Sequence, residues 1–151
     1  MSGSKLSSVA FVHTEDRKSG VESSIRTLGI NPASNKDVLI KPNFNTADLC
    51  PGSTHNDTLV ALVEEVWKMG AKSVSLGERS YAENRPVMEE KGIIPLMETL
   101  DVRIIDFDEL DQKDWVKAVS YTHLRAHETA DVISYAVFCL KSGGGGGGGG
   151  G

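Results

Sequence analysis

Val38-Leu-Ile-Lys-Pro-Asn43, a long loop to Thr54, a helical pattern to Met69 and then Ser73-Val-Ser-Leu-Gly-Glu78 decide the fold of this chain. Val38 to Ile40 is a short apolar run between Asp37 and Pro42, which reads as a buried strand. Pro42 has no N–H to give to a ladder, so the strand stops there. After the loop, Leu59, Val60, Leu62, Val63, Val66 and Trp67 form a wide apolar stripe at helical period. Thr54, with Asp57 three residues on, reads as a capping-box variant worth about 1 kcal/mol. Gly70 stands where helices commonly end. Strand, helix and strand with so long a crossover predict a parallel, right-handed βαβ unit.

Working outward, Ser8-Val-Ala-Phe-Val-His13 reads as a preceding strand, and Lys18 to Leu28 as a helix with Val21, Ile25 and Leu28 on one face, stopped by Gly29. Asn31 to Lys36 is a loop by its Pro, Asn and Ser content. Beyond Glu78, Glu83 or Asn84 caps a helix with Pro86 near its first turn, running to Lys91 before Gly92. Ile94 to Leu100 is a short helix, Val102 to Asp106 a fourth strand, and Trp115 to Lys117 the start of another. The pattern predicts an α/β fold: a three-layer sandwich with a mostly parallel sheet built from βαβ units.

Parallel α/β sheets bind ligands at the carboxyl ends of their strands. Lys41, Asn43 and Asn45 leave one strand there, and Glu78, Arg79 and Ser80 leave the next. Lys41 is either a solvated strand-end lysine or, held rigid by Pro42, a receptor for a carboxylate or phosphate. Asn43 and Asn45 suit ligand orientation and equally suit a plain turn. The stretch ending at Thr54 leads into a helix N-terminus, whose N–H groups favour an anion, although no phosphate-binding glycine loop is present. His55 is a candidate base or ligand, or simply an exposed first-turn residue. Glu78 and Arg79 either hold substrate or metal, or pair with each other at the surface. Asp106 and Asp108 read as an acidic turn or as metal-reaching carboxylates, and Cys50 as an incidental loop cysteine.

Lys41-Pro-Asn43, Pro51-Gly-Ser-Thr-His-Asn-Asp57, Gly70-Ala-Lys-Ser-Val74 and Gly77-Glu-Arg-Ser80 together resemble the family named domain of unknown function 362, over roughly residues 8–117. Longer members of that family often carry ferredoxin-like cysteine clusters for [4Fe–4S] centres. The resemblance therefore implies iron–sulfur or redox association in such relatives, while this sequence encodes no such cluster. By this reading the chain is a truncated member of the family.

The C-terminus is of another character. Val119-Ser-Tyr-Thr-His-Leu-Arg-Ala-His-Glu-Thr129 and Ile133-Ser-Tyr-Ala-Val-Phe-Cys-Leu-Lys141 resemble the translation of a transposase adapter used in short-read sequencing, and nine glycines follow from Gly143. Residues 118–151 are therefore expected to be an artefactual, disordered tail and are set aside from the fold. With them go His123 and His127, whose i, i+4 spacing would suit a metal on a helix, and Cys139. No metal site is then expected.

Residues 1–117 suffice for one small domain burying roughly 65% of its unfolded surface. The first seven residues are expected to be disordered, with residues 8–117 forming the truncated domain. The net charge is −5, and the tail contributes none of it, since Arg125 and Lys141 offset Glu128 and Asp131. That balance argues against nucleic acid or an anionic membrane as partner. No stretch approaches the ~20 apolar residues of a membrane span. The start has no apolar core for a secretion signal, and Cys50 alone allows no internal disulfide, which together imply a cytoplasmic protein. The expected function is an enzyme or enzyme subunit binding a small anionic metabolite through Lys41, Asn43, Asn45 and the helix start at Thr54. The competing classes are a non-catalytic ligand-binding module and, third, a structural scaffold. The truncated chain itself is expected to be inactive.

Overall fold

The computed structural model describes residues 8–81, 83–111 and 139–143. In chain order the elements are α1 (Arg17–Leu28), β1 (Asp37–Lys41), α2 (Asn56–Lys68), β2 (Ser73–Glu78), α3 (Asn84–Glu90), α4 (Ile93–Thr99), β3 (Arg103–Asp106) and β4 (Cys139–Gly143). The sheet order is β3-β2-β1-β4. The first three strands are parallel, and β4 runs antiparallel to β1. Helices alternate with parallel strands, which is the α/β class that the sequence pattern predicts.

Local signals account for the element ends. The Asp16 carboxylate accepts the Ser19 N–H at 2.7 Å and starts α1, and Gly29 ends it in the left-handed region at φ +62°. β1 ends at Lys41, directly before Pro42. Gly70, at φ +81°, follows α2, and Gly92, at φ +66°, separates α3 from α4.

Register puts Val38 beside Val74 and Ile40 beside Leu76, with Ile104 next to Leu76. Because strand side chains alternate, these residues share one face. That face meets Leu59, Leu62, Val63 and Val66 of α2, Val87 and Met88 of α3, and Ile93 and Met97 of α4 in one core cluster, with Val21 and Ile25 of α1 packed against it. Trp67 closes the margin of this core, its indole N–H donating to the Leu100 carbonyl at 2.9 Å. The opposite face carries Leu39, Ser75, Gly77 and Ile105. A Cβ on Gly77 would lie 2.4 Å from the tip of the Phe107 ring, so the ring packs directly on that glycine. Among the described residues the helices form one layer, and this second face is where a third layer would pack.

Three expectations need correction. Ser8–His13 forms no strand; Val9 and Phe11 are 87% and 89% exposed. An apolar run becomes a strand only where a neighbour offers unpaired backbone, and the second edge of β1 is taken by β4. Cys139–Gly143, expected to be disordered, is that strand, in register from Lys41↔Cys139 to Asp37↔Gly143. An open sheet edge pairs through backbone groups and so accepts extended chain of almost any sequence. Lastly, α2 begins at Asn56 with His55 as its cap, so Thr54 is not the capping residue. Residues 1–7, Trp115 to Lys117, and His123 and His127 lie outside the described residues. No helix among the described residues is long and apolar enough to cross a membrane.

Candidate functional site

Because β1, β2 and β3 are parallel, Lys41, Glu78 and Asp106 all end at the same edge of the sheet. The segment after β1 continues extended for one further turn of alternation: Pro42 and Phe44 are buried, whereas Asn43 and Asn45 are exposed. Phe44 is wholly buried, and burying its ring turns the two flanking asparagine side chains outward.

The exit of β2 holds this segment. Glu78, 1% exposed, accepts the Phe44 N–H on Oε2 at 2.9 Å. Its Oε1 accepts the Lys41 ammonium at 2.5 Å and the Arg79 N–H at 2.9 Å. The Ser80 hydroxyl reaches the Phe44 carbonyl at 2.7 Å and Asn84 Oδ1 at 2.9 Å. Asn84 in turn donates from Nδ2 to the Glu78 carbonyl at 3.1 Å, and the Tyr81 N–H donates to the Asn45 carbonyl at 3.1 Å. These contacts extend the β1–β2 pairing past the ends of both strands.

The far end of the loop is fixed separately. Thr54 Oγ1 accepts the Asn43 N–H at 2.9 Å, and the Thr54 N–H donates to the Asn43 carbonyl at 3.0 Å. Thr54 thus closes the loop onto its own start, which explains why it is buried and does not cap α2. His55 takes the cap, its Nδ1 accepting the Asp57 N–H at 3.1 Å. Nε2 is then the remaining ring nitrogen for a ligand. Lys91, from the end of α3, donates to Ser53 Oγ at 2.6 Å and to the Asp48 carbonyl at 3.2 Å. Its ammonium lies 5.1 Å from the centre of the Phe44 ring, within cation–π range. Loss of hydration pushes the Lys91 ammonium below the usual lysine range, against the opposing pull of Cys50 and Asp48.

The structure therefore gathers Lys41, Asn43, Asn45, Thr54, His55, Glu78 and Arg79 at the carboxyl edge, but in different positions. Asn43, Asn45 and Arg79 are exposed and His55 is half-buried, whereas Thr54 and Glu78 are buried in the scaffold. Lys41 is shared, with its ammonium on Glu78 and its side chain 46% exposed. Glu78 and Arg79 do not pair with each other: Arg79 Nε is 2.8 Å from Asp108 Oδ1. Asp106 accepts the Asp108 N–H at 3.0 Å, which is ordinary acidic-turn geometry. No group of three or more His, Cys, Asp or Glu suited to a metal occurs among the described residues. The sequence reading placed Ser80 at this strand exit, and the structure gives it the Phe44 carbonyl and Asn84 as partners. It gave no site role to Ser53, Asn84 and Lys91, of which only Asn84 carried a signal, as a candidate helix cap.

The sequence pattern of the family described as domain of unknown function (DUF362) matches residues 38–140. The match starts at Val38 rather than at residue 8, and runs on through the adapter-like stretch as far as Leu140. No curated protein and no solved structure matches the chain.

Proposed function

The chain belongs to the family described as domain of unknown function (DUF362), and from that premise we propose that it binds a small anionic metabolite at the carboxyl edge of its parallel strands, as an enzyme or enzyme subunit. One observation carries this reading: the alternation Pro42, Asn43, Phe44, Asn45, with Phe44 pinned by Glu78 and Ser80, puts two exposed amide side chains on the segment that follows Lys41, the Asn43 Nδ2 also donating to the Gly52 carbonyl at 3.4 Å. Amide and ammonium donors presented together suit carboxylate or phosphate oxygens, and the first turn of α2 adds N–H groups of the same sign. Rigid presentation lowers the entropy cost of binding. Iron–sulfur or redox chemistry in longer relatives belongs to this proposal only through the family resemblance, since no cluster of three or more candidate ligands occurs among the described residues.

A non-catalytic binding module is the second reading, and one observation favours it. The acid–base groups at the edge are engaged in the scaffold: Glu78 holds three donors, and His55 Nδ1 caps α2. Calorimetric titration of inorganic phosphate and small dicarboxylates into wild type, Asn43→Ala and Asn45→Ala tests binding. Affinity lost in both variants supports the site, and wild type without affinity for any of these anions refutes the anionic reading. Turnover of a bound metabolite by a protein extended beyond residue 117 separates enzyme from module.

A further inference from the structure

The loop that carries Asn43 and Asn45 is clamped at both ends by ionised side chains, and Phe44 joins the two clamps. At its entry, Glu78 accepts the Phe44 N–H at 2.9 Å while also accepting Lys41 and the Arg79 N–H. At its exit, the Lys91 ammonium ties Ser53 Oγ (2.6 Å) to the Asp48 carbonyl (3.2 Å) and lies over the Phe44 ring. Ser53 itself donates to the Asp48 carbonyl at 2.5 Å, so the neck of the Leu49–Gly52 tip is closed by one ammonium and one hydroxyl. Leu49 at that tip is 86% exposed, and its carbonyl accepts the Gly52 N–H at 2.8 Å.

We infer that Glu78 and Lys91 are positioning residues, which hold residues 43–54 in the ligand-binding shape without touching the ligand. This deepens the proposed function and rests on it for the identity of the ligand. The chemistry of Glu78 is specific. Three donors converge on its two oxygens, and a carboxylate is acceptor-only on both. A glutamine in its place offers one oxygen and one NH2. Its NH2 must then face either the Phe44 N–H or the pair formed by Lys41 and the Arg79 N–H. Aspartate falls one methylene short. Lys91 is less exacting, because an arginine also carries several donors on a long stem.

Residue-resolved amide exchange on the full chain tests this, with Arg85→Ala as a control outside the site. Glu78→Gln is expected to speed exchange of the Phe44 amide by about tenfold or more, and Lys91→Met to do the same for Gly52 and Thr54, with Ile40 and Val63 unchanged. Lys91→Arg should restore the wild-type pattern. Ser53→Ala gives the same readout at the exit should Lys91→Met fold poorly. Exchange at residues 43–54 unchanged in both variants, or raised equally at Ile40 and Val63, overturns the inference. Phosphate titration of the same variants distinguishes the two levels. Wild type that binds phosphate, with Glu78→Gln weakened several-fold although Lys41 and both asparagines remain, supports positioning. Equal affinity in the two overturns it. Wild type that binds no phosphate refutes the anionic reading, and amide exchange alone then decides the clamps.

Discussion

The Lys41 ammonium sits 2.5 Å from Oε1 of Glu78, yet the two side chains differ in exposure, 46% against 1%. The pair is therefore asymmetric. Lys41 can turn to solvent or to a second anion, whereas the Glu78 carboxylate depends on its partners for solvation. Removing Lys41 leaves a buried carboxylate with two backbone N–H donors and no counter-ion. Lys41→Met is expected to cost about 1–3 kcal/mol, below the range for a fully buried pair because two donors remain. Removing both charges in Lys41→Met/Glu78→Leu should recover part of the loss, and urea unfolding of all three variants completes the cycle. A single-variant cost near zero would show that the pair is immaterial to folding.

Thr54 should matter through its hydroxyl and not through α2. Thr54→Val keeps the shape but removes the acceptor of the part-buried Asn43 N–H, at a cost of about 1 kcal/mol. Thr54→Ser retains the acceptor and should cost less. The helical signal in far-ultraviolet circular dichroism should be unchanged in both, since His55 caps the helix. Loss of helix in Thr54→Val would restore Thr54 as the cap.

Gly77 is expected to resist even alanine. Its Cβ would meet the Phe107 ring at 2.4 and 2.6 Å and Leu39 Cδ1 at 2.9 Å. Both neighbours are ends of movable side chains, so the cost should be about 1–3 kcal/mol and not complete unfolding. Phe107→Leu should lower that cost when combined with Gly77→Ala. Additive effects in thermal unfolding would mean that the ring does not rest on Gly77.

The Lys91 ammonium gives a pH signature. Burial lowers its pKa in the folded state from the ordinary 10.5, so in the window between the lowered value and 10.5 the unfolded chain binds more protons. This group's contribution to stability therefore rises as pH increases through that window. Lys91→Met should remove the rise, making the stability difference between wild type and variant pH-dependent only on the alkaline side. A constant difference from neutral pH to 10.5 would contradict the assignment.

Truncation to residues 1–117 removes β4 and leaves the backbone of β1 unpaired along the register Asp37–Lys41. Among the described residues no helix covers the face bearing Leu39, Ile105 and Phe107. Such a fragment is expected to self-associate and to bind hydrophobic dyes, as measured by size-exclusion chromatography and dye fluorescence. A monomer with one cooperative unfolding transition would show that the open edge is harmless.

The sequence by itself determined the elements from α1 to β3, their parallel arrangement and the edge at which Lys41, Asn43, Asn45, Glu78 and Arg79 assemble. Those features follow from local signals, namely the periods of buried side chains, Pro42 after β1, and glycines after α1, α2 and α3, which hold whatever lies further along the chain. Only the tertiary structure decided the partner of each polar group. Glu78 took the ammonium of Lys41, 37 residues away, and not the guanidinium of its neighbour Arg79. Thr54 closed on Asn43 and ceased to be a cap, and Lys91 reached Ser53 across 38 residues. Ser8–His13 had the composition of a strand, but the free edge of β1 was taken by β4. Burial repeats with the period of a helix or strand and so leaves a trace in sequence. Hydrogen bonds between loops have no period, and depend on which ends the packed sheet brings within about 3 Å of each other.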